Sequence, residues 1–477
     1  MKVSRKLRAL LLFSCLAALG GCTPDSGPSS EEPLGEAVQA VTTTTLSAYT
    51  NPSTNTVLSS TGGKKLVWTT SGLHSVWARG GTVYYATSPD GVAWSAPLAL
   101  DTSAAFAPSI ASADNGTVGV VYIRRNAGGN GYNHVYYRSR GPAGSWGAAF
   151  KVTSDYTSEF GTDTSITTLG DIVHLAWSST SYVFHASFPL TQTTSIPTAY
   201  VVNLSSMCSI YTLSNPSIAV SNGTFGNPPI IRVAWYQYRR PYSPTCTPDD
   251  SFGWLVAEKP ANANDYWPVV VSGYGGPVSP SGTGAVSLSL TANKSTADFY
   301  LATSDLVNGV GSTRLWYENA WSTTDTWRSV SILPRAALID VAAEFMNCGP
   351  QLRIAVSDYT QGSNGYGPTF TQTGTWEGAA TTPTWLTSST PTASQGRVGS
   401  ALLWEKTLTS TTVRDVYSLF ETWAGASNYT LVDAYDTKPT PSCGPPSCTA
   451  CHPSEFTRSG LMNQGTCARG QRLGARP

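Results

Sequence analysis

Near the C-terminus, Cys448-Thr-Ala-Cys451-His452 places two thiols and an imidazole at a spacing that chemistry uses directly. The pattern matches the attachment motif for haem c, two thioether cysteines followed by a proximal histidine, and Met462 could be the far ligand. The same cysteines fit a small disulfide clip with Cys443 and Cys467, or a Cys/His zinc site, and these readings stay open. The run from His452 to Pro477 is short for a helical haem shell. No cofactor is therefore expected, with haem c as the alternative. A second group of reactive types is dispersed through the chain. Arg79, Arg124, Arg125, Arg239 and Arg240 end apolar, β-like runs, as do Asp305, Asp358 and Glu405, while Asp101, Asp155, Glu159 and Asp163 lie in the connecting stretches. Guanidinium groups converging on one face would grip a carboxylate-bearing sugar or peptide bidentately. Paired carboxylates on the same face would suit glycoside hydrolysis, with an acid from Asp101, Asp155 or Asp163 and a nucleophile or base from Asp358 or Glu405.

Histidine and charge exclude other chemistries. His74, His134, His174 and His185 alternate with apolar residues, so packed or hydrogen-bonded imidazoles are expected rather than a metal site. No HExxH or Walker segment occurs. Lys plus Arg and Asp plus Glu both number 29, only 12% of residues are charged, and no basic stripe marks a nucleic-acid partner. Gly 44 and Pro 31 favour strands and turns over helices.

The elements that must position these residues follow from repetition. Trp77, Tyr122, Trp177, Trp235, Tyr300, Val356 and Trp404 mark recurring β-like runs, spaced from 45 residues (Trp77 to Tyr122) to 65 (Trp235 to Tyr300). Each is followed by a third run, such as TVYYATS, NHVYYRS or DVYSLFE, and often by a tryptophan expected to begin a fourth: Trp94, Trp146, Trp267, Trp327 and Trp385. Most units open on a short strand such as Pro108-Ser-Ile-Ala-Ser or Pro216-Ser-Ile-Ala-Val. Four short strands per unit at this period predict an all-β fold, a β-propeller of seven four-stranded blades. Six is the alternative count, because the last unit has a poor first strand (Ser394 to Val398) unless the run Val41 to Tyr49 completes the ring. A pair of β-sandwiches is the competing architecture. In the propeller, the loops from second to third strands and from fourth strands to the next unit share one face. The arginines and carboxylates named above fall there, and the turns between third and fourth strands lie opposite.

The most regular copy is the hairpin Thr82 to Leu98, whose turn Ser88-Pro89-Asp90-Gly91-Val92-Ala93-Trp94 resembles the Asp box of sialidase-like (BNR-repeat) propellers, one residue shorter. In that family the box locks a turn, so Asp90 is expected to be a folding residue. The resemblance covers the repeated region and implies the fold. Sialidases grip the substrate carboxylate with three arginines and use a Tyr-Glu nucleophile pair with an Asp acid. This chain lacks the family's F/Y-R-I-P segment in its first unit, Val121-Tyr-Ile-Arg-Arg in the second being nearest, so sialidase activity is not expected.

The N-terminal stretch carries an address. Lys2, Arg5, Lys6 and Arg8 precede the apolar run Ala9 to Leu19, too short to cross a bilayer, which reads as a secretory signal peptide. Leu19-Gly20-Gly21-Cys22 resembles a bacterial lipobox and implies lipid on Cys22. The expected divisions are signal peptide 1–21, disordered tether 22–43, propeller 44–436 and Cys-rich tail 437–477. Export permits disulfides. Cys208 and Cys246 are expected to pair, because they flank the first two strands of the fourth unit on one face; Cys348 has no evident partner. Together these features predict a lipoprotein anchored in the bacterial cell envelope, at the outer membrane or cell surface, that binds carbohydrate or an envelope protein on its loop face. A glycan hydrolase on the same scaffold is the first alternative, and an electron carrier with a tail haem the second.

Overall fold

A computed structural model describes residues 42–50 and most of 62–439. Connecting segments outside the described residues include 126–131, 155–160, 203–208, 242–250, 347–348 and 359–366. The expectations for Cys22, Asp155, Glu159, Cys208, Cys246, Cys348 and the tail (Cys448, Cys451, His452, Met462) therefore fall outside them.

Every described element is a strand. The first sheet runs β2 (Leu66–Thr69), β3 (Gly72–Arg79), β4 (Thr82–Ser88), β5 (Leu98–Asp101). The second is β6 (Ala105–Ser112), β7 (Val118–Arg124), β8 (His134–Arg140), β9 (Phe150–Lys151). The third is β10 (Asp163–Leu169), β11 (Ile172–Ser178), β12 (Val183–Pro189), β13 (Tyr200–Val201). The fourth is β14 (Ser209–Ser221), β15 (Ile230–Pro241), β16 (Ser251–Pro260), β17 (Val269–Pro277). The fifth is β18 (Gly284–Ala292), β19 (Asp298–Val307), β20 (Val310–Asn319), β21 (Arg328–Leu333). Each is an antiparallel meander in chain order, as short connections favour.

The sixth sheet differs and corrects the expected count of seven. It has eight strands: β22 (Leu338–Met346), β23 (Gly349–Ser357) and β24 (Gly367–Thr375) with β25 (Thr384–Trp385), joined through β24 to β26 (Thr390–Thr407), β27 (Thr412–Trp423), β28 (Asn428–Pro439) and β1 (Thr42–Thr50). The array is thus a six-bladed propeller, the alternative count, with the last blade of double width; among the described residues no separate seventh blade forms. The merger has a local cause: Gly367–Thr371 of β24 pair with Thr390–Gly396 at the start of β26. The run GSALLWEK, expected to be a second strand, is the far part of β26, and the poor first strand Ser394 to Val398 is its near part. The N-terminal run does pair with the end of the repeat, from Thr42 opposite Tyr435 to Thr50 opposite Asn428.

The strands β2, β6, β10, β14, β18, β22 and β26 each lie beside the next, and β26 lies beside β2, so first strands line the central axis. Register shifts of the bulge type recur ahead of the inward serines, between Phe106 and Ser109, Ser214 and Ser217, Ala285 and Ser287, and Val398 and Ser400. A bulge bends its strand and re-aims the side chains beyond it.

Between sheets the core is aromatic. Trp77, Trp177, Trp235, Tyr122 and Tyr300, five of the seven residues that marked the repeat, are fully buried. Burying one tryptophan removes roughly 200 Å² from water, worth about 5 kcal/mol before the entropy of ordering is subtracted. The tryptophans expected to begin fourth strands mostly precede them instead. Trp146 meets Tyr85 of the preceding sheet edge-on at 4.9 Å, Trp267 meets His185 at 5.0 Å and Trp327 meets Trp254 at 5.9 Å. They recur because they seal each sheet onto the one before it.

Candidate functional site

The hairpin turn after β4 behaves as a lock. The Asp90 carboxylate accepts backbone N–H bonds from Val92 at 2.8 Å and Ala93 at 2.9 Å, and the Ser88 hydroxyl at 3.1 Å. Gly91 donates its N–H to Ser88 Oγ at 2.8 Å and takes a left-handed φ of 80°, which glycine adopts without a Cβ penalty. The backbone N–H groups of Ala93 and Val92 hold the Asp90 carboxyl below its ordinary pKa. This turn joins the third strand to the fourth, so it lies on the face opposite the loops discussed next.

On that loop face, neighbouring sheets touch directly. The N–H of Ala105 donates to Gly81 O in the β3–β4 turn at 2.7 Å, and Arg125 N–H donates to Ala104 O at 3.1 Å. Arg79, Arg124 and Arg125 lie at the loop-face ends of β3 and β7 in these two neighbouring sheets. Each sits over a ring: Arg79 over Tyr84 at 5.3 Å, Arg124 over Tyr136 at 3.9 Å, and Arg125 over Phe106 at 5.1 Å. Cation–π seating of this kind holds a guanidinium in place by about 0.5–1 kcal/mol at exposed sites.

Arg124, however, is also committed to a carboxylate. Its Nη2 lies 2.5 Å and its Nε 2.7 Å from Asp101 Oδ2, which also accepts the Tyr122 hydroxyl at 2.7 Å. Asp101 Oδ1 takes the Ser103 N–H at 2.9 Å. Burial alone would raise the Asp101 pKa, but the bonds from Arg124, Tyr122 and Ser103 outweigh it and leave it lowered. Asp101, expected as a proton donor, is thus an ionised anchor for Arg124. Asp358, expected as a nucleophile or base, is buried at the end of β23 and pairs with Arg335 Nε at 2.5 Å. Asp163 begins β10 and is half-buried. Asp305, near the loop-face end of β19, accepts the Ser312 hydroxyl at 2.9 Å, and burial raises its pKa.

Two groups of sequence-placed residues fall elsewhere. Arg239 and Arg240 lie at the loop-face end of β15, opposite Ser251 and Ile210 respectively, two sheets from Arg124. Glu405 is a correction. It belongs to the far end of β26, opposite Arg414 at the start of β27, and a first strand runs away from the loop face. Its backbone therefore lies at the end of the sheet opposite the loop face. The cause is the strand merger, which makes the run containing Glu405 a first strand rather than a second.

The convergence that sequence reasoning missed lies on the axis. The Lys64 ammonium is 2.7 Å from Asp340 Oδ1 and 3.2 Å from Ser289 Oγ, and it donates to Val341 O. Lys65 is fully buried, donates Nζ–H to Pro108 O, and has its pKa lowered to about 8 by desolvation, opposed by Asp163 and Asp340. Around the same level, side chains of first strands clip the next unit's backbone. Ser165 Oγ accepts Ile218 N–H at 3.1 Å, Ser217 Oγ accepts Leu290 N–H at 2.9 Å, and Asp340 Oδ2 accepts Ala401 N–H at 2.6 Å. Ser400 Oγ accepts Lys65 N–H at 3.1 Å. The signal available in sequence was the serine repeated in Pro108-Ser-Ile, Thr164-Ser-Ile, Pro216-Ser-Ile and Gly399-Ser-Ala.

The histidines are packed as expected. His74 Nδ1 is 2.5 Å from the Tyr85 hydroxyl and its Nε2 2.8 Å from Thr69 Oγ1. His174 and His185 stack at 5.6 Å, and His134 Nδ1 is 3.1 Å from Thr153 Oγ1. Among the described residues, no group of three or more His, Cys, Asp or Glu is placed to hold a metal ion, and no helix is long and apolar enough to cross a membrane.

No family model and no curated protein matches the sequence. Solved structures do resemble the chain trace. The polysaccharide lyase Uly1 superposes with a TM-score of 0.46 at 13% identity over 81% of this chain and 92% of that one. A Trypanosoma rangeli sialidase in complex with sialic acid gives 0.38 at 8% identity, over 71% of this chain and 55% of that one. A Penicillium chrysogenum α-L-arabinanase complexed with arabinobiose gives 0.40 at 10% identity, over 68% and 95%.

Proposed function

We propose that this protein binds carbohydrate, of anionic character, on the loop face of its propeller and does not hydrolyse it. The observation that carries this reading is the state of Asp101. A glycosidase acid must hold a proton near neutral pH, which requires a raised pKa. Asp101 is instead held ionised by Arg124 and Tyr122. Asp358 is likewise engaged by Arg335, and Glu405 belongs to the other face. What the rim offers is guanidinium groups seated on rings in two adjacent sheets, at Arg79, Arg124 and Arg125. Guanidinium recognises carboxylate or sulfate in a fixed plane, and ring faces suit the apolar face of a sugar.

The proposal extends to location on sequence grounds alone. The signal-like stretch and Leu19-Gly20-Gly21-Cys22 support lipid attachment at Cys22 and a bacterial envelope address, where the ligand would be an envelope or extracellular glycan. The test is a glycan array probed with the purified mature protein, followed by incubation with a panel of fluorogenic glycosides. Retention of acidic glycans, weakened in Arg79→Ala and Arg125→Ala, with no turnover, is the expected result. Turnover that disappears in Asp358→Asn would establish the hydrolase instead.

A further inference from the structure

Residues Gly62 to Lys65 precede β2 and touch each of the other strands that line the axis. A Cβ on Gly62 would strike the carbonyl of Pro216 in β14, and one on Gly63 would lie 2.5 Å from Thr164 O in β10 and 2.7 Å from Ser109 Cβ in β6. Both glycines are buried. They are required by space rather than by backbone conformation, since neither has a left-handed φ. Lys64 O accepts Ile110 N–H of β6 at 2.9 Å, while its ammonium reaches Ser289 of β18 and Asp340 and Val341 of β22. Lys65 reaches Ser400 of β26 through its N–H and Pro108 of β6 through its ammonium. Four consecutive residues thus contact β6, β10, β14, β18, β22 and β26.

We propose that Gly62–Lys65 is an axial lock: it fills the central channel, fixes the spacing of the first strands around it, and uses the Lys64–Asp340 ion pair as its bolt. Three features support a lock over a chance crossing. The glycines leave no room for a side chain. The lysines satisfy acceptors that point inward from strands on opposite sides of the axis. Asp340 is shared, binding Lys64 through one oxygen and the Ala401 N–H through the other, so the bolt also ties β22 to β26. The axis is then a structural core rather than a passage, and ligand contact is confined to the rim. The lock does not depend on the rim's binding activity, so each can fail without the other.

Hydrogen exchange followed by mass spectrometry on the whole mature protein tests the lock. In the wild type, the amides of Lys65, Ile110 and Ala401 are expected among the slowest to exchange. Lys64→Met keeps the aliphatic stem but removes the charge. It is expected to speed exchange in peptides spanning Leu338–Val341 and Ser400–Leu402 by about tenfold or more, leaving Ile172–Ser178 of β11 unchanged. Gly63→Ala, whose Cβ would press on Ser109 of β6 and Thr164 of β10, should instead speed exchange in peptides spanning those two strands by a similar factor. Wild-type rates in both variants, or acceleration spread evenly through β11, would overturn the proposal. Should both variants fail to fold, the wild type alone decides: axial amides exchanging as fast as those of the edge strand β5 would also overturn it.

Discussion

Lowering the pH from 7.5 to 5 should destabilise the protein steeply, and the buried imidazoles set the size of the effect. His74 and His174 are each held down to about 4, chiefly by desolvation, with Arg140 adding to the effect at His74 and Lys259 at His174. An unfolded histidine titrates near 6.5. Because the folded value is the lower one, the unfolded chain binds the extra proton. Stability is therefore full above pH 6.5 and is lost as pH falls from there toward 4. For one such site the loss is about 2 kcal/mol by pH 5 and approaches about 3 kcal/mol at pH 4. Two sites give about 4 kcal/mol by pH 5, against a total stability of about 5–15 kcal/mol for an ordinary domain. His185, also pushed well below its ordinary value by burial, adds in the same direction, though its stacking on His174 makes their protons compete. Asp90 and Asp101 have lowered values and titrate below this window, so the two effects separate. Urea unfolding followed by tryptophan fluorescence at pH 7.5, 6.5, 5.5 and 5.0 measures the slope directly. His74→Gln, which retains hydrogen-bonding capacity toward Thr69 and Tyr85, should remove about 2 kcal/mol of the pH 7.5-to-5 difference. A wild-type stability that stays level across this range, or a slope unchanged in His74→Gln, would refute the reasoning.

Other perturbations have equally definite outcomes. Arg232 is buried between Glu258 at 2.5 Å and Glu318 at 2.7 Å, with its guanidinium 4.4 Å from the Phe299 ring centre, so Arg232→Met strands two carboxylates and should cost about 3–5 kcal/mol in denaturant unfolding. Asp90→Ala removes three accepted hydrogen bonds from a surface turn and should lower stability by about 1–2 kcal/mol without altering glycan retention on the array, because the turn faces away from the rim. Asp101→Asn should free Arg124 and raise the Kd for acidic glycans through loss of a fixed geometry, whereas Cys22→Ser should leave binding intact and move the protein from the membrane to the soluble fraction on fractionation.

Much of this fold could be read from the chain because its signals are local. The hairpin after Val83 needs only Asp90 and Gly91 to close, and tryptophans such as Trp146 and Trp267 recur because each sheet must seal against the last. Pairings between distant residues carry no such trace. Lys64 and Asp340 are 276 positions apart, and nothing near either one announces the other. Arg124 and Asp101 are only 23 apart, yet whether that carboxylate serves a substrate or a neighbouring arginine is a matter of side-chain geometry. Glu405 was misplaced because β24 pairs with β26, a competition between neighbouring strands that a repeat period does not encode.

The pairing of β1 with β28 also dictates an order of events. Thr42 lies opposite Tyr435, so the sixth sheet cannot be completed until nearly the whole chain has emerged. Closing a loop of that length costs about 5 kcal/mol of chain entropy, and contacts so remote in sequence slow folding. The N-terminal strand must wait, unpaired, while earlier sheets assemble from their own hairpins. A chain threaded through a membrane N-terminus first would present this strand early and fulfil it last. Until that pairing forms, the sixth sheet lacks its last strand.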